Sequence, residues 1–246
     1  MISLSPHDII KIWETGQNQH PLDRALTILS IEHSRMTHDQ LASLSIGQRD
    51  KYLLEMRERN FGSKLKGFAE CPHCSEHLEL DISTTELQDL KVSSSGNNGN
   101  TLEYNIGDIK INYRLPNSID LAAVAECKEA KSAYNLLVER CLVKVASNEK
   151  EITINQLSDD DIDKLAEHMA KSGLQEEILI NLQCALCNHK WQMNFDIETF
   201  LWNDISVHAK RLLQEVHALA FSYKWREKDI LTMSSVRRRH YLEMLT

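Results

Sequence analysis

The spacing of apolar and polar residues predicts that the chain begins as a bundle of helices. Up to about residue 62, apolar residues recur with a helical period. Ser5, Thr37 and Ser45 each precede a polar residue three positions later, which is the pattern of a helix N-terminal capping box. Gly62 is a suitable residue to end the last of these helices. We therefore expect three or four helices before residue 62.

Beyond residue 62 the period changes to two, which predicts strands. Leu78, Leu80 and Ile82 alternate with acidic residues, and a second alternating region covers residues 178–197. Two further alternating runs flank Gly107 and Asp108, a pair of residues suited to a tight hairpin turn. The sequence thus predicts β-hairpins within a largely helical chain.

Helical segments are predicted between and after these strands. One covers residues 118 to about 145, and a second begins at Ser158, with three aspartates in its first turn, where the helix dipole favours them. A helical tail is predicted from about residue 203 to the end, with breaks near residues 223–225 and 234–235. The run SSSGNNGN, residues 93–100, is predicted to be a flexible surface loop.

These elements predict an α+β fold that is mainly helical. We divide it into an N-terminal helical region, an α+β region and a C-terminal helical docking region. Their predicted bounds are residues 1–62, 63–200 and 201–246.

The composition is that of an ordinary globular protein, with 42% apolar and 26% charged residues. The formal net charge of −8 argues against a protein that binds a phosphate backbone. No stretch approaches the roughly 18 apolar residues of a membrane span, and the N-terminus lacks the features of a signal peptide. We expect a cytoplasmic protein with reduced thiols, which binds neither nucleic acid nor membrane.

Four of the six cysteines form two CxxC pairs, Cys71 with Cys74 and Cys184 with Cys187. A CxxC turn supplies two thiolates, half of the tetrahedral site that zinc prefers. Although 109 residues separate the pairs, far more than the roughly 15–20 of ordinary zinc ribbons, both lie next to alternating strands. The sequence therefore predicts a structural Zn²⁺ held by all four cysteines, with two β-hairpin knuckles meeting as a split zinc ribbon.

Other uses of these cysteines fit the pattern less well. A thioredoxin-like dithiol requires a CxxC at the start of a helix, and disulfides are disfavoured in a reducing compartment. Iron also binds four thiolates, and one of His73, His77 and His189 could replace a cysteine. The remaining two cysteines, Cys127 and Cys141, are predicted to pack as small apolar residues within one amphipathic helix.

No nucleotide-binding, metalloprotease or serine-hydrolase motif is present in the sequence. The scattered histidines show no repeated carboxylate or serine partner, and a zinc ion with four thiolate ligands has no open position for a substrate. We therefore expect a protein that is not an enzyme.

The C-terminal run combines aromatic residues with arginines. Apolar residues, Val236 among them, are predicted to form a seam between two short helices, with the arginines projecting away from it. Arginine and aromatic residues are enriched in protein interfaces. We predict a partner-binding surface for an acidic protein, formed by Trp225, Arg226, Arg237, Arg238, Arg239 and Tyr241. The alternative is a packed helical hairpin whose basic face is only solvated.

From about Phe61 onward, the chain resembles the T4-type phage baseplate hub assembly proteins, which have relatives in phage-tail-like contractile injection systems. The similarity rests on the first knuckle CPHCSEHLELDI, on the segment FDIETFLWNDI after the second knuckle, and on INYRLPNSIDLAAV. The closing YKWREKDILTMSSVRRRHYLEML is its most specific part.

The resemblance implies a non-enzymatic assembly factor, either a chaperone or a minor structural subunit, of the baseplate hub. Its expected partners are hub, spike or tape-measure proteins of a contractile tail. A structural subunit would also be present in the assembled tail particle.

A zinc-ribbon regulatory protein associated with nucleic acid, using the C-terminal helices as a helix-turn-helix, is the alternative hypothesis. The acidic net charge favours the assembly factor, as does the absence of interleaved basic and aromatic residues near the knuckles.

Overall fold

The computed structural model describes residues 3–84, 101–147, 150–153, 156–172 and 179–245, and it confirms an α+β fold. The helices are α1 (Pro6–Gly16), α2 (Pro21–Glu32), α3 (His38–Ala42), α4 (Ile46–Phe61), α5 (Ser118–Ala125), α6 (Ala130–Cys141), α7 (Asp159–Ser172), α8 (Ile197–Tyr223), α9 (Glu227–Leu231) and α10 (Ser235–Glu243). The strands are β1 (Lys64–Glu70), β2 (His77–Ser83), β3 (Leu102–Ile106), β4 (Ile109–Tyr113), β5 (Leu142–Ser147), β6 (Lys150–Glu151), β7 (Leu179–Gln183) and β8 (Lys190–Asn194). Within the described ranges, no helix is both long and apolar enough to span a membrane.

The predicted capping boxes are all formed. The side chains of Ser5, Thr37 and Ser45 each accept a hydrogen bond from the backbone N–H three residues later, and the side chain of that later residue bonds back. Each box satisfies two backbone N–H groups that a helix start leaves without a partner. At the other end of α4, Gly62 has a φ of 88°, a left-handed conformation that glycine adopts without strain.

The first hydrophobic core joins the N-terminal helices, both cysteine-bearing hairpins and the first half of α8. Leu65 and Leu80 of the hairpin β1–β2 are buried in this core, together with Leu201 of α8. Gly67 of β1 lies directly under the ring of Phe200, where an added Cβ would come within 2.8 Å of the ring. The core therefore combines residues from all three predicted regions of the chain.

A buried ion pair also fastens α8 to the N-terminal helices. The guanidinium of Arg24 lies 3.3 Å from the carboxylate of Glu198 and stacks 4.3 Å from the centroid of the Trp202 ring. Burial raises the pKa of Glu198 to about 7, although the neighbouring Arg24 acts to lower it. The start of α8 is thus held by polar as well as apolar contacts.

The strands between the hairpins form a separate antiparallel sheet in the order β3-β4-β5-β6. Gly107 and Asp108 make the predicted two-residue turn between β3 and β4, where Gly107 has a φ of 56°. Helices α6 and α7 cover one face of this sheet and form a second core around Ile111, Tyr113 and Leu165.

Two predictions about this segment are wrong: the single helix over residues 118–145, and the position of Cys127 within it. A single helix was expected over residues 118–145, but it breaks between α5 and α6, and residues from Leu142 onward form strand β5. Val143 and Val145 favour a strand, and β5 pairs with β4 through a contact that the local pattern does not reveal. Cys127 consequently lies in the break between helices, whereas Cys141 is fully buried as predicted. The predicted loop at residues 93–100 falls outside the described residues.

The junction between β4 and α5 carries a buried carboxylate. Asp120 is fully buried and accepts hydrogen bonds from the guanidinium groups of Arg114 and Arg140, the latter at 3.0 Å. Asn117 completes a capping box with Asp120, and the same junction bonds to the start of α4 through the Ile46 N–H and the Pro116 carbonyl. This network attaches the inserted sheet to the helical bundle.

The helical tail begins earlier than predicted. Asp196 caps α8 by accepting a hydrogen bond from the N–H of Glu198, so the helix starts at Ile197 rather than near residue 203. The chain then breaks at Lys224, which has a left-handed φ of 60°, before α9 and α10 fold back. A third core joins Ile10 of α1 with α8, α9 and α10.

We predict that Asp120→Asn lowers the free energy of unfolding at pH 7 by about 3 kcal/mol, because it leaves two arginines without their buried anion. Burial by itself raises the pKa of Asp120, but the arginines and the Asn117 N–H lower it below its usual value. The stabilisation is therefore complete above the unfolded pKa of about 3.9, and it is lost as the pH falls through the lower folded pKa.

Urea unfolding at a series of pH values measures this difference. The control is Asp81→Asn on the exposed face of β2, which is expected to change stability by less than about 0.5 kcal/mol. A difference between wild type and Asp120→Asn that is as large at pH 3 as at pH 7 would contradict the prediction.

Candidate metal centre and C-terminal surface

The two CxxC pairs have the same backbone conformation. In each hairpin the first cysteine donates its N–H to a carbonyl five residues later, that of Glu76 or of His189, at 2.9 Å. Its own carbonyl accepts a hydrogen bond at 2.9 Å from the residue four positions later, Ser75 or Asn188. These two residues both have a left-handed φ, of 58° and 57°. The two CxxC pairs therefore form two equivalent knuckles.

The fold brings the four sulfur atoms together. All four Sγ atoms lie within 4.8 Å of one another, and the distances from Cys71 to Cys187 and from Cys74 to Cys184 are both 3.6 Å. Zinc–sulfur bonds of about 2.3 Å imply tetrahedron edges of about 3.8 Å. The spacing of the sulfurs thus suits a tetrahedral metal ion. Each closest pair joins one cysteine from each knuckle.

Backbone N–H groups point at the sulfurs and favour their charged form. The N–H groups of Cys187 and Leu186 lower the pKa of the Cys184 thiol to about 7. The N–H of Glu76 lowers the pKa of Cys74, but desolvation and the three neighbouring thiols together raise it to about 12. Four adjacent thiols cannot all lose their protons without a cation between them. A bound divalent ion would supply that charge.

The four thiols of the candidate site differ in their exposure to solvent. Cys71 and Cys184 are fully buried, and the second cysteine of each pair lies nearer the solvent. Among the described residues, the only metal-ligating cluster consists of the four cysteines, without a histidine. His73 and His189 instead stack on each other beside it, with their ring centroids 5.5 Å apart. All six cysteines are free thiols.

The C-terminal residues predicted to bind a partner are only partly brought together. Trp225 packs edge-to-face on Tyr241, with ring centroids 4.8 Å apart, and the guanidinium of Arg237 lies 5.7 Å from the Tyr241 centroid. Tyr223 stacks on Trp225 at 4.6 Å and also contacts the Tyr241 ring edge-to-face at 5.7 Å. Arg226 and Arg239 are exposed.

The expectation that all the arginines project into solvent is wrong for Arg238. This side chain is buried, with its Nε 2.9 Å from Glu215 of α8 and its Nη1 donating to the Met233 carbonyl at 2.6 Å. Arg238 therefore joins α10 to α8. Val236, predicted to lie in the apolar seam, is 75% exposed instead.

A family model for the T4 bacteriophage base plate protein matches residues 17–202, about three quarters of the chain. The chain belongs to the T4 bacteriophage base plate protein family. No curated protein and no solved structure gave a match.

The matched range of this baseplate protein extends through most of the N-terminal helices and contains both cysteine pairs. It ends before the C-terminal run that resembled the baseplate hub assembly proteins most specifically. The metal candidate thus lies within the matched range, and the C-terminal surface lies outside it.

Sequence reasoning missed the contacts that support both sites. The backbone donors to the sulfurs follow from the knuckle conformation, in which Ser75 and Asn188 have a left-handed φ. In the sequence these two residues are only a weak signal of that conformation. No sequence motif marks Glu215, the partner of Arg238. Glu215 contacts α10 only because the chain reverses at Lys224.

We predict that the purified, reduced baseplate protein contains a single zinc ion per chain and that Cys184→Ser loses it. Serine cannot supply the fourth thiolate, so the two knuckles lose the ion that joins them and the thermal midpoint falls. Elemental analysis measures the zinc, and cobalt substitution reports tetrahedral thiolate ligation by its visible absorption.

The matched control is Cys127→Ser, which removes a thiol that lies away from the cluster. We expect this variant to retain its metal and its thermal midpoint. Equal metal contents in wild type and Cys184→Ser, or a wild-type protein purified without metal, would contradict the assignment.

Proposed function

We propose that this chain is a non-enzymatic assembly factor of the baseplate hub of a contractile phage tail or phage-tail-like injection system, acting as a chaperone or as a minor structural subunit. The observation that carries the proposal is the family match over residues 17–202, which gives the chain a baseplate-related role. The resemblance to hub assembly proteins supports the narrower role in the hub.

The candidate metal centre supports a structural role for zinc. Four thiolates would complete the tetrahedral coordination of Zn²⁺, so no position remains for an activated water molecule or a substrate. Cys71 and Cys74 on one hairpin, with Cys184 and Cys187 on the other, would hold the ion and join the two knuckles as a split zinc ribbon. When bound, the ion would supply cross-linking rather than chemistry.

The rest of the described chain supports docking rather than turnover. Its buried charged groups are used in structure: Asp120 pairs with two arginines, Glu198 with Arg24, and Arg238 with Glu215. A scaffold of this kind fits a protein that presents surfaces to hub, spike or tape-measure proteins. Such a protein would act in the cytoplasm during assembly and, as a subunit, remain in the tail particle.

Co-expression with the other baseplate proteins of the same phage or injection system tests this function. We predict that an affinity-tagged full-length chain co-purifies with at least one of the hub, spike or tape-measure proteins. Mass spectrometry of assembled tails then asks whether the chain remains in the particle. A chaperone would be absent from the particle, and a structural subunit would be present.

Deletion of the gene for this chain provides the matching experiment. A deletion that leaves tails assembling at the wild-type rate, together with the absence of any co-purifying baseplate protein, would contradict an assembly role. Specific retention of duplex DNA by the purified chain at physiological salt would instead favour the nucleic-acid-associated alternative.

A further inference from the structure

On one surface of the C-terminal hairpin of helices, half-buried aromatic side chains adjoin exposed basic ones. We call it the aromatic–basic patch and define it by Trp225, Arg226, Arg237, Tyr241 and Met244. Trp225, Tyr241 and Arg237 contact one another directly, and Met244, which is 61% exposed, lies one turn beyond Tyr241. Arg226 is exposed next to Trp225 in the chain.

Helical geometry separates the three consecutive arginines. With about 100° between successive residues, Tyr241 and Met244 fall within about 40° of Arg237 around α10, whereas Arg239 lies about 200° away. Arg238 points inward to Glu215. Only Arg237 among the three therefore belongs to the aromatic–basic patch, and Arg239 is an exposed arginine on the opposite side of the same helix.

The charges of the patch are not neutralised within the described part of the chain. Neither Arg226 nor Arg237 forms an ion pair with any described residue, while Arg238 pairs with Glu215. The segment from Lys224 to Leu245 holds six basic and three acidic residues in a chain whose net charge is −8. The surface is thus a local basic region on an acidic protein.

The composition of the patch favours a protein partner. Tryptophan, tyrosine and arginine are the residue types that contribute most to protein–protein binding, and exposed methionine adapts to apolar surfaces. A carboxylate can pair bidentately with an arginine, while an apolar side chain beside it packs on the rings.

From this charge complementarity we infer that the aromatic–basic patch binds a carboxylate-bearing segment of another baseplate protein, with an apolar side chain of that segment seated against Trp225 and Tyr241. The inference rests on the proposed assembly function and names the surface through which that function is carried out.

The test uses full-length chains and the baseplate protein that co-purifies with the wild type. We expect Arg237→Glu to weaken binding of that protein by about tenfold or more, because it replaces an attractive contact with a repulsive one. Arg239→Glu makes the same charge change outside the patch, and we expect it to bind as wild type does. Isothermal titration gives the Kd values, and circular dichroism with zinc content verifies the fold of each variant.

A charge swap completes the design. Replacing the partner's interacting carboxylate with lysine is expected to restore binding to Arg237→Glu and to weaken binding to the wild type. Equal affinities for wild type and Arg237→Glu, or equal losses in Arg237→Glu and Arg239→Glu, would overturn the inference while leaving the assembly function intact.

Two further outcomes count against the inference. If the wild type captures no baseplate protein, the inference and the proposed function both fail, whereas a captured protein that binds wild type and Arg237→Glu equally defeats the inference alone. If duplex DNA binds the wild type and Arg237→Glu abolishes that binding, the patch is a nucleic-acid surface instead.

Discussion

Mutual repulsion among four thiolates is the constraint on which the centre of this structure depends. Two cysteine pairs that lie 109 residues apart in the chain place their sulfurs within 4.8 Å of one another. Backbone N–H groups of the knuckles favour negative charge on these sulfurs, as the lowered pKa of Cys184 shows, yet full deprotonation without a cation would be strongly unfavourable. The arrangement is thus stable as a partly protonated cluster or as a metal complex. A bound metal ion would supply the attraction that joins both hairpins.

Packing in the first hydrophobic core also connects the two hairpins, so the candidate metal site is not their only connection. Both contribute apolar residues to the first core, and α8 follows the second hairpin directly and packs across the first through Phe200 and Gly67. Because the second knuckle leads into α8 within a few residues, the position of the sulfurs of Cys184 and Cys187 depends on how α8 packs. The Arg24–Glu198 ion pair fixes the packing of α8 at its first turn.

Local features were predictable from the sequence, and contacts between distant segments were not. The capping boxes, the turn at Gly107 and Asp108 and the knuckle strands depend on residues within a few positions of one another, so their patterns indicated them. Strand β5 was mistaken for the end of a helix because its pairing with β4 lies about 30 residues away in the chain. The four cysteines were predicted correctly as a set because two equal motifs leave little choice of partner. The residues that orient them carry no motif.

The arginine run shows the same distinction within a single helix. Arg237, Arg238 and Arg239 are chemically identical in the sequence, and only the path of the chain gives them different roles. The reversal at Lys224 brings α10 against α8, which directs Arg238 onto Glu215 and leaves Arg237 over Tyr241. The buried pair thereby sets the rotation of α10, and that rotation determines which side chains stand beside the aromatic rings. The Arg238–Glu215 salt bridge therefore shapes the external surface that a partner would meet, even though Arg238 itself is inaccessible to that partner.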